Sequence, residues 1–157
     1  MSDKDRREEF WDRLDDCRSG MLDLDGRAVP MTHNLEPEDG NIWFLTAKGT
    51  EMAGAAAASK NARYIVCNDP EAIYAQVEGV LSVSTDKAKL DEVWSVMAST
   101  WFEEGKQDPD LVLVRFRPAK AEIWLGPESG FKFLWSVAKA KVTGDQPDYG
   151  DHFELTF

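Results

Sequence analysis

The pair Asp25-Gly26, standing between the short apolar runs 20–24 and 28–35, restricts the folding of this chain more than any other feature. A two-residue connection of this kind closes a β-hairpin, because both central residues of the favoured turn need positive φ and Asp-Gly tolerates it. A third run, 41–46, follows the turn-rich Glu36-Pro37-Glu38-Asp39-Gly40, so the first part of the chain reads as an antiparallel meander. Links this short cannot carry the helical crossover of a parallel sheet, which makes a doubly wound parallel sheet the weaker architecture.

The rest of the chain fits around that meander. Residues 3–17 place Phe10, Trp11, Leu14 and Cys17 at helical spacing among charges. Residues 50–59, TEMAGAAAAS, combine high helix propensity with side chains small enough for close packing. Runs 63–68 and 73–84 read as strands, with Gly79 marking a bulge in the second. Asp86 opens another helix, whose stripe is Leu90, Val93, Trp94, Met97 and Trp101. After a loop at 104–109, runs 111–116 and 121–125 read as two strands hinged at Arg117-Pro118, since proline does not fit a central ladder. A last helix over 131–142 and a polar linker over 145–151 lead to the terminal FELTF. Six or seven strands with three or four helices give a mainly β (α+β) fold, best closed as an antiparallel barrel because closure removes exposed edges. With 157 residues, the expectation is a single domain over 1–157, able to bury about two-thirds of its extended surface.

Charge narrows the ligands. The chain carries 29 acidic against 18 basic residues, a formal net charge of -11, which disfavours nucleic-acid binding and obliges any anion to find a local cationic pocket. Its apolar residues are too interrupted to span a membrane. The charged N-terminus lacks the apolar stretch of a secretory signal, so a cytoplasmic location is expected. Cys17 and Cys67 lie far apart, without zinc-site spacing, and are expected to be reduced and structural. No Ser-His-Asp or Cys-His arrangement can be drawn from His33 and His152, the only two histidines, so hydrolysis is disfavoured. His33 is expected to be hydrogen-bonded or exposed. Glu8, Glu9, Asp12, Asp15 and Asp16 read as the solvated face of the first helix.

Several blocks, in order, resemble a known family. Gly20-Met21-Leu22 with Gly26-Arg27 and Pro30-Met31, the strand Ile42-Trp43-Phe44-Leu45-Thr46, the stretch Leu90 to Trp94, Trp101-Phe102-Glu103-Glu104-Gly105-Lys106, Asp108-Pro109-Asp110-Leu111, and Pro118 with Ala121-Glu122-Ile123-Trp124 are similar to the pyridoxamine 5'-phosphate oxidase-like split barrels, in particular their general stress protein branch. The resemblance implies a split β-barrel with flanking helices. It also implies a homodimer that holds FMN, or FAD, noncovalently between its subunits. Pro30, Met31, Thr32, Phe44, Leu45 and Thr46 would border the isoalloxazine and ribityl chain, where strand backbone and threonine hydroxyls supply uncharged edge hydrogen bonds. Gln76 and Trp124 match positions of polar contact and of stacking or groove closure. Relatives grip the flavin phosphate with a serine and, two positions on, a cation; here those positions read Thr50 and Met52. Arg27 is the best remaining cation near the block, Lys48 and Lys60 reading as solvated loop lysines, and Thr50 can cap the alanine-rich helix. Losing a charge-assisted contact weakens binding by about 1.5–3 kcal/mol.

The implied function is a flavin-binding stress protein, with or without a flavin-dependent oxidoreductase activity that takes electrons from reduced nicotinamide. The alternatives are a non-catalytic flavin-sequestering module and a barrel dimer that has lost its flavin. Oxidation of pyridoxamine phosphate itself is disfavoured, because the acidic tail at 148–154 would repel a phosphorylated substrate. Six tryptophans in so short a chain add to the expectation of a homodimer, as more than one small core readily hides.

Overall fold

The computed structural model describes residues 2–36, 38–94, 98, 100, 102–126, 138–139, 141–144 and 150–157. Helix α1, Asp3–Asp15, starts at a capping box in which the Ser2 hydroxyl accepts from the Asp5 amide and the Asp5 carboxylate accepts from the Ser2 amide. Strands β1, Ser19–Leu24, and β2, Arg27–Thr32, form the predicted hairpin, with Asp25 and Gly26 at φ of 51° and 90°. Next come β3, Asn34–Leu35, and β4, Ile42–Ala47, then helix α2, Glu51–Ala57, capped by Thr50. Strands β5, Asn61–Asn68, and β6, Ile73–Ser84, lead to helix α3, Lys87–Val93. A short 3-10 turn at Gly105–Gln107 precedes β7, Leu111–Leu125, and β8, Asp151–Thr156, ends the chain.

The strands form one antiparallel sheet in the order β2-β1-β5-β6-β7-β4-β3, with β8 added to β7. Only His33 separates β2 from β3, so the two ends of that order belong to one run of chain. The sheet therefore curls back on itself as a split barrel. The fold class expected from sequence is the one observed; the eighth strand is the two-residue β3, which continues the predicted run 28–35 past His33. Inside lie the fully buried Phe44, Tyr64 and Phe116, with the Phe44 ring 5.1 Å from Tyr64 and 6.4 Å from Phe116 between centroids. Phe10 and Leu14 of α1 are also fully buried, each contributing about 1.5–3 kcal/mol of apolar burial. Arg13 fixes α1 to the sheet by donating to the carbonyls of Ala72, at 3.1 Å, and Gly126, at 2.8 Å.

Two sequence expectations need correction. Residues 111–125 form one strand, not two hinged at Arg117-Pro118. The proline is tolerated because β4 pairs with β7 only as far as Phe116 and β8 only from Lys120, so the edge beside Pro118 has no ladder. On its other edge Pro118 faces Gly79 at a register shift. Gly79 is the expected bulge, and its lack of a side chain is required: a Cβ there would lie 2.3 Å from the Arg117 carbonyl oxygen. The helix opened by Asp86 is also shorter than its apolar stripe, since Trp94 already has extended backbone at ψ 132°. Met97 and Trp101 of that stripe lie outside the described residues, as do most of the predicted helix 131–142 and residues 145–149 of the predicted linker.

Candidate functional site

The structure gathers the resemblance-derived residues into two groups. The first surrounds β2 and the start of α2. β2 ends the strand order, so one of its edges has no ladder partner and its backbone groups there are open to other partners. Along it, Val29 and Met31 pack toward the core while Pro30 and Thr32 are exposed. Arg27, at the start of the strand, reaches α2 and pairs with Glu51 at 2.9 Å, both side chains being largely exposed.

In β4, Ile42, Phe44 and Thr46 face the interior, while Trp43 and Leu45 pack on the other side with Leu113 and the α3 residues Leu90 and Val93. The Phe44 side chain is wholly enclosed, so it shapes the wall from behind and presents no surface of its own. Thr46 is buried, with its hydroxyl 2.9 Å from that of Thr50. Thr50 donates its own hydroxyl proton to the Ala47 carbonyl at 2.9 Å and accepts from the Ala53 amide at 3.2 Å. Its role as helix cap is as expected, and its only proton is committed to that turn.

Met52 explains the missing cation. It is 3 % exposed and belongs to the main core cluster with Ala55 and Ala56. In this chain the position faces the barrel interior, where an ammonium would be costly. Arg27, paired with Glu51, is a cation beside this block.

The second group lies on the outer face of the sheet. Cross-strand partners set Ile65 beside Gln76 beside Glu122, and Cys67 beside Tyr74 beside Trp124 beside His152. Gln76 accepts from Arg63 at 3.2 Å, and Arg63 also pairs with Asp23 at 3.0 Å. The Trp124 and His152 rings stack at 4.8 Å and 10°, and His152 Nε2 lies 3.0 Å from Glu122. Tyr74 donates to Asp69, which raises the phenol to about 12. These half-exposed aromatic and polar groups make a flat, hydrogen-bonding surface.

Sequence reasoning left His33 without a role, and the structure supplies one. It is buried where β2 breaks into β3. Its Nε2 lies 2.9 Å from the Leu14 carbonyl and its Nδ1 2.7 Å from the Tyr64 hydroxyl, which is 3.0 Å from the Met31 carbonyl. A neutral ring protonated at Nε2 donates to Leu14, and its Nδ1 shares the single Tyr64 hydroxyl proton with the Met31 carbonyl. Burial lowers the imidazole below its ordinary value, against the Leu14 and Cys17 carbonyls, which favour the charged ring. This network ties α1, β2 and β5 together and fixes the course of the β2 edge. Cys17, by contrast, is raised to about 11 by burial and is unreactive.

An antiparallel split barrel with an open β2 edge and a helix capped beside it defines the structural class of this β-protein. The chain belongs to the pyridoxamine 5'-phosphate oxidase like family, whose model matches residues 5–148. A candidate general stress protein 26 from Jannaschia sp. CCS1 is 44% identical, with 98% of this chain and 99% of that one covered at a TM-score of 0.91. A general stress family protein from Xanthomonas campestris is 32% identical over 82% and 92% of the two chains, with a TM-score of 0.73. The general stress FMN/FAD binding protein from Xanthomonas citri is 34% identical over 80% and 92%, with a TM-score of 0.72. No curated protein matches in the sequence comparison.

Proposed function

We propose that this chain is a flavin-binding stress protein that holds FMN or FAD between two copies of itself. The observation that carries the reading is its 34% identity, over most of both chains, to the general stress FMN/FAD binding protein of Xanthomonas citri. The geometry is consistent with it. Pro30 and the open β2 edge offer an exposed apolar ring beside backbone hydrogen-bonding groups, with Met31 packed behind them against the core, and Thr32 adds an exposed hydroxyl. Arg27 is the cation for a flavin phosphate, at the expense of its exposed pair with Glu51. Gln76 and Trp124 stand on a different face from the α2 corner, which fits a site completed by the second copy. Met21, 40% exposed beside Ile65, adds apolar surface to that face for a homodimer contact.

A bound flavin supplies redox chemistry through its ring; this chain's residues bind it, orient it and limit water. Holding the cofactor is the role assigned in this proposal, and cytoplasmic residence and one domain per chain are part of it. Among the described residues, no helix is long and apolar enough to cross a membrane.

The test is titration with FMN and with FAD, followed by flavin fluorescence quenching, alongside sedimentation. Saturation at one flavin per protomer in a dimer supports the reading, and absence of quenching by either flavin overturns it. Oxidation of reduced nicotinamide above the free-flavin rate assigns an oxidoreductase; a rate equal to free flavin assigns a flavin store.

A further inference from the structure

We propose a second anion site, for a diphosphate-bearing small molecule, in the cleft that opens where the barrel is split along β7. The cleft has a volume of about 500 Å³ and is lined by Arg7, Arg115 and Arg117, with Trp11, Asn41 and Phe157 among its walls. It contains none of the residues assigned above to the flavin. Its position follows from the topology: β4 leaves β7 at Phe116 and the β8 ladder begins at Lys120, with the Phe157 amide donating to the Ala119 carbonyl at 3.0 Å, so the β7 edge is unpaired at Arg117 and Pro118.

Three arginines converge on this gap in a chain of net charge -11, and they lack the carboxylates expected there. Neither Arg115 nor Arg117 makes an ion pair with a described residue, and Nε of Arg115 is buried without a hydrogen-bond partner. Arg7 is held in place by donating to the Thr156 carbonyl at 2.7 Å and by lying 5.0 Å over the Phe157 ring. Among the described lining residues, the one carboxylate side chain, Asp39, is already engaged by Lys89 at 3.0 Å and by the Trp43 indole at 2.9 Å.

Guanidinium groups on a cleft wall without a carboxylate partner in the chain are ready partners for an anion from outside it. Guanidinium forks match phosphate oxygens in pairs, and the charge of three arginines balances that of a diphosphate better than that of a single carboxylate. Trp11, half-buried beside them, gives the organic part of such a ligand an apolar wall. The global negative field makes this the local cationic pocket that any anion approaching this face must use.

The test is isothermal titration of the full chain at low ionic strength with inorganic pyrophosphate and, separately, with adenosine diphosphate. Saturable binding of either supports the site, and tighter binding of the nucleotide identifies an organic diphosphate rather than the free ion. Arg117→Gln, at an exposed position, should weaken binding tenfold or more while the FMN titration is unchanged; Arg115→Met should do the same. If Arg115→Met does not fold, Arg117→Gln alone decides. No heat with either probe, binding unaffected by Arg117→Gln, or parallel loss of flavin binding in Arg117→Gln would each overturn a separate diphosphate site.

Discussion

Met52→Lys restores the cation that relatives carry near the flavin phosphate, and it separates two views of α2. Met52 is 3 % exposed in the main core cluster, so the change removes about 1.5–3 kcal/mol of apolar burial. It also asks an ammonium to enter that site. A folded-state value depressed from about 10.4 to about 8 adds roughly 3 kcal/mol at neutral pH. The expected loss is therefore about 4–6 kcal/mol, a large part of the roughly 5–15 kcal/mol available to a domain. Because the folded lysine would titrate below the unfolded one, the unfolded state holds more protons between the two values, and stability rises with pH across that window. Urea unfolding followed by tryptophan fluorescence at pH 7 and pH 9.5 should show a strongly lowered midpoint that partly recovers in alkali. Flavin affinity should not rise. A variant with an unchanged midpoint and tighter FMN binding would mean that position 52 faces the ligand, refuting the placement of α2.

Other outcomes follow from the same contacts. His33 is held below its ordinary value by burial, so its contribution is complete above about pH 6.5 and declines as acid is added toward its folded value, by at most 1.4 kcal/mol per pH unit. His33→Gln should flatten the dependence of unfolding free energy on pH below about 6.5; an unchanged slope would remove His33 as its source. Gly79→Ala drives a Cβ to within 2.3 Å of backbone and should lower stability by about 1–3 kcal/mol, read from the denaturation midpoint. Thr50→Ala should cost about 1 kcal/mol through the lost cap and change flavin affinity little, since the hydroxyl proton is committed to Ala47.

Much of this architecture is written in local chemistry. Asp25-Gly26 specified the β1–β2 hairpin because positive φ leaves few residue choices, and Gly79 marked the bulge because a side chain there meets backbone. Thr50 was legible as a cap for the same local reason. Pro118 misled because a proline's cost depends on which edges of its strand are paired, and that is set by β4 and β8, distant in sequence. The site was legible only through the resemblance. Periodicity placed Phe44 and Leu45 on a strand but could not say that Phe44 faces the core while Leu45 faces α3. Arg115 and Arg117 gave no signal as isolated basic residues; only the gap in the β7 ladder brings them to Arg7. His33 and Tyr64, 31 positions apart, likewise become a pair only when the barrel closes.

The most direct measurement is hydrogen–deuterium exchange of the protein with and without FMN. The account predicts added protection on β2, at residues 27–32, and at the 46–51 corner, with further protection on β6 and β7 around Gln76 and Trp124. Protection confined to α1 and the Arg115–Arg117 cleft, with β2 unchanged, would contradict it.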